Sequence, residues 1–167
     1  MLELLSVIVL IGLLAAVAAP TFIRLLSEQR SDAAIDTINQ TLQRTQLKAQ
    51  QDNVSWQLSI KEEDGIVKVS SHPATTNTAS SMWTELDSFI QIDSETTLLS
   101  SAGVYYVRFD EKGNVRSSRL GRITVSSKQS PETKRCVVVS TLLGATRVAK
   151  QQKEPDPNYS ASDRFCY

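Results

Sequence analysis

The chain has 167 residues, 18 Lys/Arg against 18 Asp/Glu, 6% aromatic residues, one histidine and two cysteines. That length suits one domain with a core plus an appendage. The balanced charge alone points to no polyanionic partner. The balance is uneven along the chain, however: residues 1–100 carry 6 Lys/Arg and 12 Asp/Glu, while residues 101–167 carry 12 and 6. The C-terminal third is basic.

The chain begins MLELLSVIVLIGLLAAVAAPTF, and residues 4–23 are 20 positions without a charge, bounded by Glu3 and Arg24. At ~1.5 Å rise per residue a helix of that length spans ~30 Å, the thickness of a bilayer's hydrocarbon core. Pro20, near its far end, removes one backbone hydrogen bond from a helix and bends it. Three readings stay open on the residues alone. Ala16-Val17-Ala18 has the form of a signal-peptidase site, yet a signal peptide needs a basic flank and no Lys or Arg precedes Arg24. A plain membrane anchor satisfies the hydropathy but leaves Glu3 unexplained. A helix that leaves the membrane to pack with copies of itself gives that carboxylate a partner.

The stretch from Leu2-Glu3-Leu4 through Ala18-Ala19-Pro20 resembles the N-terminal helix of type IV pilins and type II secretion pseudopilins. In that family a prepilin peptidase cuts after a glycine, and the mature chain starts with an N-methylated Phe, with Glu fifth and Pro twenty-second. Glu3 and Pro20 keep that spacing of seventeen. Met1 stands where the family has further residues, the Phe and a basic leader ending in Gly. Processing and methylation are therefore implied by the resemblance and not carried by residues of this sequence.

Beyond Pro20 the helical pattern continues. Ala34, Ile35, Ile38, Leu42 and Ala49 form an apolar stripe, with Arg24, Glu28, Asp32, Asp36, Arg44 and Lys48 on the wet side. No Gly or Pro interrupts 21–52, which predicts one helix over about 2–51. A separate surface helix after a break at Pro20 is the alternative. The expected organisation is a transmembrane or filament-core segment over 1–23, an amphipathic half over 24–52 and a globular β domain over 53–167.

Residues 54–60 alternate, with Val54, Trp56, Leu58 and Ile60 on one face. Glu62-Glu63-Asp64-Gly65 then reads as a turn and 66–69 as the return strand. Residues 71–81, SHPATTNTASS, read as a polar loop. Further strands are expected at 89–92, 104–109, 122–126, 135–140 and 146–149, with a turn at 110–114. The fold class is α+β, a long helix packed on antiparallel sheet.

Val107-Arg108-Phe109-Asp110-Glu111-Lys112-Gly113, Gly121-Arg122-Ile123-Thr124-Val125, and Cys136-Val137-Val138-Val139-Ser140 with 144–150 are similar, in order and spacing, to the C-terminal half of the GspH/FimT minor pseudopilins. That resemblance implies a pilin helix with two antiparallel sheets and a head on the periplasmic side of the inner membrane. In that compartment Cys136 and Cys166 can pair and tie down the polar tail; two free buried thiols are the alternative. The implied partners are other pilin subunits, the inner-membrane assembly platform and membrane lipid.

No catalytic constellation is legible. There is no Gly-rich phosphate loop and no Gly-x-Ser-x-Gly elbow. His72 is the lone histidine, which argues against a Ser-His-Asp set, and with two cysteines it supplies no metal set at ligand spacing. No enzyme activity and no cofactor are expected. The ambiguous signal is the basic third: Arg116, Arg119, Arg122, Lys128, Lys134, Arg135, Arg147, Lys150 and Lys153 could gather on one face and bind a phosphate backbone. Some FimT-like pilins bind DNA through a Gly-Arg-x-Arg element. The matching stretch, 144–150, keeps a Gly and two cations, Arg147 and Lys150, without that spacing. Lys134 and Arg135 complete the candidate DNA-binding set. Three functions thus compete: a filament subunit registered by Glu3 and Pro20, a DNA-capturing pilin, and a simple anchor carrying a binding domain.

Overall fold

Apolar side chains at steps of three and four must share one helix face, and that stripe organises the molecule. A computed structural model of the chain describes residues 2–76, 81–116, 120–155 and 165–167, with the backbone alone at positions 2, 4–6, 10, 13–15 and 17–19. Helix α1 runs unbroken over Leu2–Asp52, with Pro20 inside it. The expected single helix therefore forms, and the break at Pro20 does not. Asn53, at φ 52°, ends it in the left-handed conformation common after a helix C-terminus.

Among the described residues nine strands follow: β1 (Trp56–Glu63), β2 (Ile66–Pro73), β3 (Thr84–Glu85), β4 (Ile90–Ile92), β5 (Leu99–Ser101), β6 (Val104–Phe109), β7 (Arg122–Ser127), β8 (Arg135–Val139) and β9 (Thr146–Lys150). They form a five-stranded sheet in the order β3-β2-β1-β6-β5 and a four-stranded sheet in the order β4-β7-β8-β9. Every pairing within them is antiparallel. Ile35, Ile38 and Leu42 of α1 close the core with Leu58, Ile60, Val67, Val69, Val107 and Phe109 from the first sheet and Ile123, Val125 and Val137 from the second. The α+β expectation holds, and the helical stripe from Ala34 to Ala49 is buried as its spacing requires.

The local expectations need four corrections. Val54 precedes β1 and is 47% exposed. Glu62 and Glu63 belong to β1, and the turn is Asp64-Gly65 alone, at φ 53° and 72°, the geometry of a two-residue hairpin that follows strand twist. Ser71, His72 and Pro73 are the end of β2, not loop: the Trp56↔Pro73, Gln57↔His72 and Leu58↔Ser71 pairs carry the ladder that far, and positions 77–80 of the expected loop lie outside the described residues. The short strands β3 and β5 had no periodic signal, because two or three exposed residues become a strand only by pairing with a neighbour already in place.

The same ladder explains how a polar histidine is buried. Ser59 Oγ donates to His72 Nε2 at 2.9 Å and His72 Nδ1 donates to the Pro73 carbonyl at 2.9 Å. Gln57 Nε2 donates to Ser59 Oγ at 2.9 Å, and Arg108 Nη2 donates to Gln57 Oε1 at 2.9 Å. Ser59 has no exposed surface, and the far nitrogen of the ring faces a carbonyl rather than a carboxylate. The pair closes a buried network in which each polar group is satisfied.

Candidate functional site

The head covers only part of α1. From Ser27 onward one face of the helix is buried, whereas Val7, Ile8, Val9, Ile11, Phe22, Ile23 and Leu25 are exposed, from 48% at Ile23 to 66% at Phe22. An apolar stretch of this extent left in water marks an interaction surface. Glu3 is exposed near its tip and Pro20 lies on the same projecting segment. Among the described residues no helix is long and apolar enough to cross a membrane.

At the other end of the sequence a charged clamp holds the C-terminus. The Cys136–Cys166 disulfide is formed, with Cα atoms 6.1 Å apart, across a separation of 30 residues. Cys136 is set by β8 and Cys166 by an isolated bridge to Gln151. Glu95 lies against that bridge. Its Oε2 accepts from the backbone amides of Phe165 and Cys166 at 3.0 and 3.2 Å and from Arg122 Nη2 at 3.2 Å; its Oε1 accepts from Lys134 Nζ at 2.8 Å. Arg122 in turn donates to the carbonyls of Glu95 and Cys166. The Glu95 and Arg122 side chains are 4% and 7% exposed, so each charge has traded water for named partners. Burial pushes the Lys134 ammonium pKa down, and its hydrogen bonds to Glu95 and Asp93 outweigh that, leaving it raised. Nothing in the sequence singles out Glu95: within Asp93-Ser94-Glu95-Thr96 it reads as one more solvated loop carboxylate.

The described basic residues of the C-terminal third lie in different surroundings. Arg122 is inside the clamp. Lys128 donates to the carbonyls of Gly65 and Ser88, and Lys134 is held by Glu95 and Asp93. Arg135 Nε meets Asp32 Oδ1 of the helix at 2.5 Å, a partner 103 residues away in sequence. Arg147 and Lys150 stand exposed on the edge strand β9, where Lys150 is the cross-strand partner of Arg135. Arg119 lies outside the described residues. Among the described residues no group of three or more His, Cys, Asp and Glu side chains could hold a metal ion.

No protein-family model matches the chain, and no characterised sequence does so. Solved structures do. A crystal structure of the type IV minor pilin FimU of Pseudomonas aeruginosa superposes with a TM-score of 0.57 at 12% identity, over 83% of this chain and 96% of FimU. A second crystal form of FimU gives 0.54 at 13%, over 81% and 99%. The minor pseudopilin EpsH of Vibrio cholerae gives 0.48 at 13%, over 71% and 95%. On the two FimU superpositions the chain has a pilin-like fold.

Proposed function

We propose that the chain is a minor pilin or pseudopilin, a subunit that assembles through its N-terminal helix into a type IV pilus or a type II secretion pseudopilus. The observation that carries this reading is the uncovered apolar half of α1, which projects from a head of pilin-like fold. Before assembly the helix sits in the inner membrane with the head in the periplasm, a compartment that suits the Cys136–Cys166 bridge. On extraction by the assembly platform, the 4–23 segment packs against the same segment of other pilins and becomes filament core. Glu3 is costly in lipid and is retained to pair with the N-terminal amine of a neighbouring subunit, setting register. Pro20 bends the helix where lipid-facing and head-facing halves meet. The work of the protein is assembly, not turnover.

Replacing Glu3 by Ala, with the partner pilins co-expressed, tests this. Subunit recovered in sheared filaments falls to background while the level in membranes is unchanged. Undiminished incorporation would show that Glu3 sets no register. A second reading, DNA capture, draws on Arg147 and Lys150, both exposed on the edge strand β9, although residues three apart on a strand point to opposite faces. It requires an affinity for duplex DNA that falls steeply with salt, which a filter-binding titration of the full chain in neutral detergent measures.

A further inference from the structure

The end of the head nearest the projecting helix carries an open cleft of about 480 Å³, bounded by α1 on one side and by the start of β8, the end of β9 and the C-terminus on the other. Among the described residues four cations line it: Arg24, Arg135, Lys150 and Lys153. Among the described residues the carboxylates on its wall are Glu28 and Glu132, so the described lining carries four positive and two negative charges, a surplus of two. Arg135 is committed to Asp32. Arg24 meets Glu28 at 3.3 Å in a solvent-exposed contact, with 68% and 37% of the two side chains accessible, and such a pair is worth little. Lys150 and Lys153 are exposed and take part in no ion pair among the described residues. The cleft therefore offers two uncommitted ammonium groups and a third cation that a stronger anion can draw away. Phe165 lines the same space.

Where this cleft sits decides what it meets. The charge-free run ends at Ile23, Arg24 is the next residue and Glu28 lies four further on, which is ~6 Å along the axis at ~1.5 Å per residue. Hydrocarbon about 30 Å thick within a bilayer of about 40–45 Å leaves a headgroup layer of roughly 5–8 Å on each side. A helix that buries 4–23 thus places the cleft at headgroup level. We infer that the cleft binds the phosphate of an anionic phospholipid at the membrane surface. Phosphatidylglycerol fits: one phosphodiester charge for Lys150 and Lys153, and a glycerol headgroup whose hydroxyls reach the amide side chains of Gln151 and Gln152, which also line the cleft. The contact holds the head down on the membrane until the helix is withdrawn, and it is lost as the subunit leaves. This inference rests on the membrane-anchored reading above.

The test uses the full chain, isotope-labelled, in neutral maltoside micelles and titrated with dihexanoyl phosphatidylglycerol. The backbone amide signals of Lys150, Gln152 and Phe165 shift and saturate. Lys150→Gln with Lys153→Gln weakens binding about 20- to 30-fold, at the ~1 kcal/mol that each surface cation contributes. Lys112→Gln, at the opposite end of α1 where Gln50 reaches the Lys112 carbonyl, changes nothing. Three further ligands separate the sources. Dihexanoyl phosphatidylcholine matching phosphatidylglycerol would overturn the charge argument. Inorganic phosphate saturating at equal concentration would make the cleft a free-anion site and overturn the lipid assignment. A duplex oligonucleotide displacing the lipid at lower phosphate concentration would do so in favour of nucleic acid. Flotation of wild-type and doubly substituted chains with neutral vesicles checks the premise. Both float if the helix anchors. Flotation without phosphatidylglycerol binding overturns the cleft alone, and no flotation overturns the anchorage and the cleft with it.

Discussion

The two sheets use the same kinds of charge in opposite ways. On the five-stranded sheet, Lys61 and Lys68 meet Glu63 at 3.1 and 3.2 Å, and Lys68 meets Glu85 at 3.1 Å, with the two carboxylates 48% and 58% exposed. Beside the four-stranded sheet, Lys134 and Arg122 meet Glu95 at 2.8 and 3.2 Å, where the carboxylate is 4% exposed. The distances are alike and the surroundings are not. Water screens the first ladder and pays most of its Coulombic gain back to the solvent, so it decorates the sheet. In the second set Glu95 and Arg122 have almost no water to fall back on, so each depends on its partners. Since Glu95 also accepts from the amides of Phe165 and Cys166, that dependence extends to the C-terminus.

The comparison breaks most readily at Glu95. Glu95→Ala removes a buried carboxylate that Arg122, Lys134 and two backbone amides share, an expected loss of about 3–5 kcal/mol in a urea unfolding titration. A loss no larger than that of Glu63→Gln would mean that burial does not separate the two ladders. Next in size is the covalent member of the same region. Cys136→Ser with Cys166→Ser opens a loop of 30 residues, expected to cost about 3–4 kcal/mol. Combined with Glu95→Ala the two losses are expected to be non-additive by roughly 0.5–3 kcal/mol, because both act on the same backbone at Cys166; strict additivity would show that clamp and bridge hold the tail independently.

Smaller effects come from pH, and their signs differ between the sheets. The folded-state pKa of Lys134 is raised. Its contribution is full below the unfolded lysine value of about 10.4 and is lost as pH rises through the higher folded value. Lys134→Gln should therefore flatten the alkaline limb of a stability profile. Glu63 is the converse: hydrogen bonds from Lys61 and then Lys68 lower its pKa. Its contribution is present above the unfolded value near 4.3 and fades as pH falls through the folded one. Because the group is open to solvent, Glu63→Gln is expected to leave the unfolding midpoint at pH 7 unchanged within error. A clear drop would show that the outer ladder is a structural element in its own right.

Much of this was legible in one dimension, and the reasons are local. A stripe at helical spacing from Ala34 to Ala49 can bury itself only as a helix face. The 104–109, 122–126 and 146–149 strands carried enough β-branched and aromatic residues to show themselves. The site was less legible. Lys134 and Arg135 look like free cations in sequence, yet Asp93 and Glu95 lie about 40 residues from Lys134 and Asp32 lies 103 from Arg135. His72 looks like loop because its strand is held by pairing to Trp56 and Gln57 rather than by its own neighbours.

By itself, then, the sequence determined the long helix, the α+β class, the uncharged run bounded by Glu3 and Arg24 and the basic bias of the last third, all properties of composition or of periods within one element. Only the tertiary structure decided which charges are spent inside and which remain outside. That choice turns on chain crossings: β8 meeting α1 removes Arg135 from the surface, and β7 meeting the returning C-terminus buries Arg122 with Glu95. Lys150 and Lys153 are left exposed at the foot of the helix. A charge's worth depends on its distance from water and from its partner, and neither distance exists until the chain has folded.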